Sequence, residues 1–390
     1  MAELPAAEWT ARDDLAQLVA ALGPENLRWV GGAVRDTLLG QPVADVDAAT
    51  PLPPDEVTRL LEGAGIRVIP TGIDHGTVTA VLPGGNVEIT TLRKDVATDG
   101  RRATIAFAGE WREDAARRDF TINALYADPQ TLAISDWFDG LADLAARRVR
   151  FIGAARERIA EDHLRILRYY RFQARFGSAL DPEAEAACAE MAATLKGLSR
   201  ERVASELLSL LSLPDPQETV ARMFAQGVLP VALPECTGDE IASLAALVAH
   251  EQAEGIAPDG LRRLAALLPP DPKTAEQVAA RLRLSTRARK RLVTATSRQP
   301  DDTADPRALA YRLGRTEALD RLLLAGAGTA SLIDWVIPEL PLKGGEIVAR
   351  GVGAGPEVAR ILQEIENRWI AEGFPDRERV LELLQNEIEC

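Results

Sequence analysis

Two aspartates one residue apart, Asp45 and Asp47, are where this sequence first offers chemistry. On an extended strand, residues i and i+2 project from the same face, so the two carboxylates are expected to converge on one point. Side by side they repel unless a cation lies between them, and Mg²⁺ favours oxygen ligands shared with substrate phosphates. The same spacing also occurs in ordinary surface loops, so the context decides. Just upstream stands Gly31-Gly32-Ala33-Val34-Arg35-Asp36. Two glycines let the backbone approach a phosphate closely, and the helix behind them aims free N–H groups at the same place. Arg35, in the first turn, adds a planar fork for phosphate oxygens, although a cation there opposes the helix dipole. Asp36 reads as a structural partner of the helix start.

Three further segments carry suitable groups. Glu88, between Val87 and Ile89, points away from an apolar strand face and supplies a third carboxylate if its strand lies beside that of Asp45. Arg117-Arg118-Asp119-Phe120-Thr121-Ile122-Asn123-Ala124-Leu125 alternates polar groups with apolar anchors, as a helix lying against the site would. An arginine there can meet a triphosphate, and Asp119 or Asn123 a ribose hydroxyl. In Glu161-Asp162-His163-Leu164-Arg165-Ile166-Leu167-Arg168-Tyr169-Tyr170-Arg171, the residues Asp162, Arg165, Arg168 and Arg171 step by three along an expected helix. Asp162 then lies near Arg165 and can hold its guanidinium flat. Cytosine and adenine each present an amino donor beside a ring-nitrogen acceptor, which a carboxylate and a guanidinium complement; uracil and guanine present the reverse. The bland reading of the same residues is a row of salt bridges on a solvated helix.

The elements expected to position these groups follow from periodicity and turn signals. An opening helix spans about 8–22, and Leu27 to Val30 is a short buried strand. The glycine pair turns into a helix near Val34, and a second strand surrounds Asp45 and Asp47. Pro53-Pro54-Asp55 opens another helix. Two β-rich runs around Pro83-Gly84-Gly85-Asn86 predict a hairpin. The stretch from Lys94 to Glu110 reads as an irregular, mobile loop; beyond about 113 the pattern is helical, and after 155 almost no strand is expected. Proline-rich breaks at 213–216, 268–270 and 338–341 are candidate joints.

At 390 residues the chain exceeds one compact core. A hydrophobic fraction of 46% is that of an ordinary globular protein, and nothing approaches the roughly 18–20 apolar residues of a membrane helix. The first twenty residues lack the pattern of a signal peptide. Cys188, Cys236 and Cys390 fit neither a disulfide framework nor a zinc site, and His75, His163 and His250 carry no metal-ligand spacing. The cytoplasm is the expected compartment. A net charge of −14 excludes indiscriminate nucleic-acid binding, but nine arginines stand against three acids between 147 and 175. The last fifteen residues are acidic.

Taken together, GGAVRD with DVD, VEITTLR, RRDFTINAL and EDHLRILRYYRFQARFG, in this order from about Leu27 to Gly177, resemble the motifs of class II tRNA nucleotidyltransferases and bacterial poly(A) polymerases. LSRERVASELLSLL (198–211) is similar to the next motif of that family. The resemblance implies an α/β nucleotidyltransferase palm with a small mixed sheet, followed by an all-α neck, body and tail. The corresponding divisions are 1–150, 151–215, 216–330 and 331–390. It further implies template-independent addition of C, C and A from CTP and ATP to the 3′ end of tRNA. Two Mg²⁺ ions would be bound by Asp45 and Asp47, with Glu88 as third acid. The nucleotide would be held by Gly31, Gly32, Arg35, Arg118, Asp119, Asn123, Asp162, Arg165, Arg168 and Arg171. Residues from Thr98 to Arg102 would form a flexible loop assisting the change from C to A. No His-Asp dipeptide occurs, so the phosphohydrolase domain of some relatives is absent from this sequence, and the loop reads RRATIAF where RRP is usual. The competing readings are a poly(A) polymerase, an enzyme adding only C or only A, and a catalytically silent RNA-binding protein.

Overall fold

Strand-forming runs in the first third of the chain close into one mixed sheet, and helices follow. The computed structural model describes residues 2–73, 76–98 and 103–389. It divides into two compact units, residues 1–210 with 218–232, and residues 211–217 with 233–390.

The first unit opens with a 3₁₀ turn at Glu8–Ala11 and helix α1 (Asp13–Leu22). Strand β1 (Arg28–Val30) runs through Gly31 into helix α2 (Gly32–Leu38). Gly31 has φ +68°, a conformation that glycine adopts without a Cβ penalty. The helix thus starts two residues earlier than Val34. There follow β2 (Val46–Thr50), α3 (Pro54–Gly63), β3 (Arg67–Gly72), β4 (Thr77–Val81) and β5 (Val87–Thr91). Next come β6 (Arg93–Thr98), β7 (Ala103–Phe107), α4 (Trp111–Ala116), β8 (Leu125–Ala127), β9 (Ile134–Asp136) and α5 (Gly140–Ala145). The sheet order is β3-β4-β5-β2-β1-β8-β9. Strands β2 and β5 are parallel and the other neighbours antiparallel, which makes the expected small mixed sheet. Helix α2 packs on β1, β2 and β8, and Val30, Ala49, Leu92, Tyr126 and Ile152 belong to one core of this unit.

Three expectations are corrected here. The stretch from Lys94 to Glu110 is not irregular: β6 and β7 pair as an antiparallel hairpin. Its β-branched runs flank Asp99-Gly100, a hairpin signal hidden among basic residues. The expected C-to-A loop starts at Thr98, the end of β6; 99–102 lie outside the described residues, as do His75 and Cys390. The segment from Arg117 to Leu125 is not a helix. Phe120 bridges to Phe151, Thr121–Asn123 form one 3₁₀ turn, and β8 follows. The Asp119 carboxylate accepts from the Phe120 N–H (2.8 Å) and Asn123 Nδ2 (2.9 Å), local bonds that compete with a helical backbone. The strands β8 and β9, beyond residue 113, are three residues each, too short for periodicity to separate them from helix.

The rest of this unit is helical: α6 (Ala155–Glu161), α7 (Arg165–Phe176), α8 (Pro182–Glu190), α9 (Arg200–Leu211), α10 (Gln217–Ala225) and α11 (Leu229–Ala232). Phe172 of α7 meets Phe120 (5.3 Å between centroids), and Phe120 meets Phe151 (4.9 Å). Pairs of this kind contribute about 0.5–1.5 kcal/mol beyond area burial, and this cluster seats α7 against the Asp119 segment.

The second unit contains α12 (Asp239–Ala253), α13 (Gly260–Ala266), α14 (Pro272–Arg281), α15 (Thr286–Thr296), α16 (Pro306–Leu313), α17 (Arg315–Leu324), α18 (Gly344–Val348), α19 (Pro356–Ala371) and α20 (Arg377–Glu389). Trp369, Ile365, Ile347 and Leu384 centre one of its cores. Glu251, fully buried, accepts from Arg262 (2.7 Å) and Arg263 (2.8 Å). No described helix is long and apolar enough to cross a membrane. Cys188 and Cys236 are buried free thiols.

Candidate active site

The open face of the sheet and the N-terminal end of α7 enclose a cleft of about 470 Å³ in the first unit. Its acidic wall comes from register. Parallel pairing of β2 and β5 sets Asp47 opposite Glu88. Val87 and Ile89 are buried while Glu88 is exposed, so alternation turns Glu88 to the open side. Asp47 is half-buried, and its pKa is raised by burial, then by the neighbouring charges of Glu88 and Asp45, against the opposing pull of Arg118. Asp45 stands just ahead of β2, exposed and outside the cleft lining. The strand begins at Val46, so Asp45 is not held in the pleat that carries Asp47. Among the described residues no three acidic, histidine or cysteine side chains form a closed metal cage. A hard cation that keeps waters and substrate phosphates needs only one or two carboxylates, so Asp47 and Glu88 fit such an ion.

Opposite the acids the cleft is basic. Arg35, Arg93, Arg117, Arg118, Arg165 and Arg168 line it, against the carboxylates of Asp47, Glu88, Asp119 and Asp162. Arg35 is buried and fixed on every side. Its Nε donates to Asp36 (2.8 Å), its Nη1 to Asn123 Oδ1 (2.5 Å), and its guanidinium lies over Phe172 and Phe176 at 5.2 and 4.7 Å. Burial lowers its pKa and Asp36 counters that. Asp36 also accepts from Arg175 (3.0 Å), so its carboxylate orients Arg35 and does not cap the helix start, which has no side-chain cap. Gly31 borders Arg118: a Cβ there would come within 3.3 Å of Nη1.

Arg118 is aimed by a buried carboxylate that the sequence reading missed. Asp114, on α4, accepts from Tyr126 Oη (2.6 Å), Arg117 Nε (2.7 Å), Arg118 Nη2 (3.5 Å) and the Arg93 N–H (3.1 Å). Burial pushes its carboxyl up, but the two guanidiniums and the tyrosine hydroxyl outweigh this and hold it below the usual range. The i,i+3 and i,i+4 spacing to Arg117 and Arg118 was the available signal.

Helix α7 departs from the expected four-residue stripe. Asp162 closes α6 in an extended conformation (φ −149°), and α7 starts only at Arg165. Asp162 therefore does not hold Arg165. It accepts from Arg202 (2.6 Å), while Arg165 donates to Glu161 (2.6 Å) and to the Arg117 and Arg158 carbonyls. Arg168 donates to Asp119 (2.8 Å). Arg171 lies outside the lining, bonded to Glu206 (2.6 Å) on α9 and stacked on Phe172. The cleft thus gathers Gly31, Gly32, Arg35, Asp47, Glu88, Arg118, Asp119, Asn123, Asp162, Arg165 and Arg168, and leaves out Asp45 and Arg171. Arg117, one of the two arginines expected to meet a triphosphate, lines the cleft as well, and Thr90, Arg93 and Phe172 are lining residues to which the sequence reading gave no role. His250 bonds the Ala327 carbonyl (2.9 Å), as a structural histidine would.

Comparison with known proteins bears on this geometry. Residues 27–150 match the "Poly A polymerase head domain" and residues 177–239 the "Probable RNA and SrmB- binding site of polymerase A". The Mus musculus protein named CCA tRNA nucleotidyltransferase 1, mitochondrial, is 34% identical, across 93% of this chain and 87% of its own. The chain belongs to the CCA tRNA nucleotidyltransferase family. The CCA-adding enzyme of Lacticaseibacillus paracasei is 33% identical over 96% of this chain and 95% of its own. The crystal structure of the Bacillus stearothermophilus CCA-adding enzyme in complex with CTP superposes with a TM-score of 0.76 at 27% identity, covering 97% of this chain and 98% of that one. Membership of this family makes the chain a nucleotidyltransferase, with the mixed-sheet head and helical remainder that the sequence motifs implied.

Proposed function

We infer that this chain adds C, C and A, from CTP and ATP and without a nucleic-acid template, to the 3′ end of tRNA. The observation that carries this is similarity along almost the whole chain to proteins named for that activity, with 93% of it aligned to the mouse relative. The cleft offers matching chemistry, a carboxylate pair facing arginines that suit a triphosphate.

In this reading Asp47 and Glu88, with Asp45 nearby, hold divalent cation, and we assign two Mg²⁺ ions on the oxygen-only donor set. Bound there, such ions supply Lewis acidity to the attacking 3′-hydroxyl and to the triphosphate. The chain's own residues do the positioning. Gly31 and Gly32 let the backbone close on the phosphates; Arg35 and Arg118, both pre-oriented, fix the triphosphate so that pyrophosphate departs in line with attack. Asp119 and Asn123 face the ribose. Asp162 accepts from the amino group shared by C and A, and Arg165 donates to the adjoining ring nitrogen. Arg168 and Arg171 support that wall through Asp119 and Glu206.

We further propose that 1–150, 151–215, 216–330 and 331–390 act as head, neck, body and tail, and that the enzyme works in the cytoplasm, although the mouse relative is named mitochondrial. The name of the matching head domain favours poly(A) synthesis as a second reading. One experiment separates the two. tRNA lacking its CCA end is incubated with CTP and ATP, singly and together, and the products are sequenced. Exact CCA termini uphold the first reading; long A tails, or no extension, refute it.

A further inference from the structure

Arg158, on α6, is buried and lies outside the cleft lining, yet its guanidinium bonds the backbone of a residue that lines it. Its Nη2 donates to the Arg118 carbonyl (2.8 Å), and its Nη1 to Glu161 (2.7 Å), one turn further along the helix. The other oxygen of Glu161 accepts from Arg165 Nη1 (2.6 Å). That Nη1 also donates to the Arg158 carbonyl (2.9 Å), and Arg165 Nη2 to the Arg117 carbonyl (3.0 Å). The bonds close a ring, with Arg158, Glu161 and Arg165 on one side and the consecutive carbonyls of Arg117 and Arg118 on the other. All three side chains are largely shielded from water, so these charge-assisted bonds keep their strength and their geometry. A guanidinium carries five N–H groups. In Arg165 the ring takes both on Nη1 and one on Nη2, which leaves the Nε hydrogen and one on Nη2 for the cleft. Arg118 is fixed from a second direction, its side chain being aimed by Tyr126 and Asp114. The ring therefore sets the spacing between the arginine read as contacting the base and the one read as holding the triphosphate.

We propose that Arg158 is a specificity-determining positioning residue, which keeps Arg165 in register with the Arg117–Arg118 backbone so that a correct base contact aligns the triphosphate for attack. This rests on the base- and phosphate-reading roles given above to Arg165 and Arg118. Discrimination then arises in the transfer step as well as in binding. A base whose ring nitrogen accepts from Arg165 is drawn to the one position in which its triphosphate stands in line with the attacking hydroxyl. Uracil presents a donor at that nitrogen, so its nucleotide is held by the phosphates alone and occupies the cleft without that alignment. Only contacts that strengthen in the transition state raise the rate, and a small misplacement forfeits much of it. Arg158 achieves this without touching the nucleotide.

The test uses the full chain in single-turnover extension of tRNA lacking CCA, with CTP or UTP. Arg158→Met keeps an unbranched apolar stem and removes the charge and the donors. Its transfer rate at saturating CTP should fall about tenfold, while Kd for CTP stays within about threefold and the rate with UTP within about twofold of wild type. In an Arg165→Ala background the same substitution should alter the CTP-to-UTP rate ratio by less than about twofold, because the two residues act as one unit. Arg158→Lys keeps a cation beside Glu161 but replaces the two-nitrogen fork by a single ammonium. It should lose nucleotide preference in the same way at a higher melting temperature, and it decides the matter if Arg158→Met is too unstable to assay. Equal losses with CTP and UTP, or losses that simply add to those of Arg165→Ala, would make Arg158 a brace and overturn the proposal while the catalytic reading stands. Wild-type protein that does not extend tRNA with CTP overturns that reading itself.

Discussion

Asp47 and Glu88 stand directly opposite one another on adjacent parallel strands, and the burial that shields Asp47 raises its proton affinity in company with the Glu88 charge. Forty-one residues of sequence separate them, and only the β2–β5 pairing makes them neighbours. A pair of carboxylates kept together in a half-closed cleft is electrostatically costly unless a cation joins it. That cost can be measured.

The sign follows from linkage. A carboxyl whose folded pKa exceeds its unfolded one binds its proton more tightly when folded, so ionisation subtracts stability as pH rises through that window, and the loss persists above it. Asp47→Asn removes the loss. Without divalent cation at neutral pH the variant should melt above wild type, and the difference should vanish in acid. Added Mg²⁺ should raise the wild-type melting temperature and leave the variant unmoved. Nucleotide transfer should fall by about a hundred- to a thousandfold or more. A variant that melts lower at neutral pH and still responds to Mg²⁺ would remove Asp47 from the metal site.

Asp114 behaves in the opposite sense. Its lowered pKa means that ionised Asp114 contributes stability above the unfolded aspartate pKa, and this is lost as pH falls through the folded value. Asp114→Ala leaves Arg117, Arg118 and the Tyr126 hydroxyl without their shared acceptor, which should cost about 3–5 kcal/mol in urea unfolding, since breaking a buried pair strands its partner. Because Arg118 is aimed by the same carboxylate, kcat/KM for CTP should fall as well. A variant with full stability and full kcat/KM would show that the arginines are held by other means.

Gly140 tests how tightly the turn carrying Asn123 is packed. A Cβ at Gly140 would press on the Thr121 carbonyl, a backbone group with no rotamer to yield, and on Leu125 Cδ2 at 3.0 Å. Gly140→Ala should destabilise by about 1–3 kcal/mol and lower transfer, because Asn123 orients Arg35 from that turn. Gly197→Ala, where an added Cβ meets nothing within 4 Å, is the control and should stay within about 0.5 kcal/mol of wild type. Equal effects at the two positions would refute the packing argument.

How much of this was readable before folding depends on the range of each interaction. The glycine turn, the β4–β5 hairpin and the helical nature of the chain beyond residue 155 are local signals, and they stood in the residues themselves. The β2–β5 register was only a condition in the sequence, since alternation says which way Glu88 points but not which strand lies beside it. The Arg117–Leu125 segment was misread as a helix although its polar–apolar alternation has the period of extended chain, and the bonds of Asp119 and the pairing of Phe120 with Phe151 settle its path. Asp114 was overlooked because α4 alone looks like a solvated surface helix, and its burial arises from Tyr126 on β8. The break between Asp162 and Arg165 also escaped, since spacing by three persists across a helix end.

That break sharpens what base recognition requires. Asp162 already shares its carboxylate with Arg202 at 2.6 Å, and Arg165 is held by Glu161 and two backbone carbonyls, so each reaches the cleft from its own anchorage. Arg165→Ala should therefore remove one charge-assisted bond to the base without disturbing Asp162. Relative incorporation of UTP and GTP should rise by about tenfold or more, the scale of one such bond, while the Mg²⁺-dependent melting shift persists. Arg202→Ala should act differently, freeing the Asp162 carboxylate for the amino group of C and A and lowering KM for CTP, with the gain shrinking as salt is raised. If Arg165→Ala leaves nucleotide choice as it was, the base is read elsewhere in the cleft, and Glu161, Arg165 and the Arg117 carbonyl are then a brace for the α6–α7 turn.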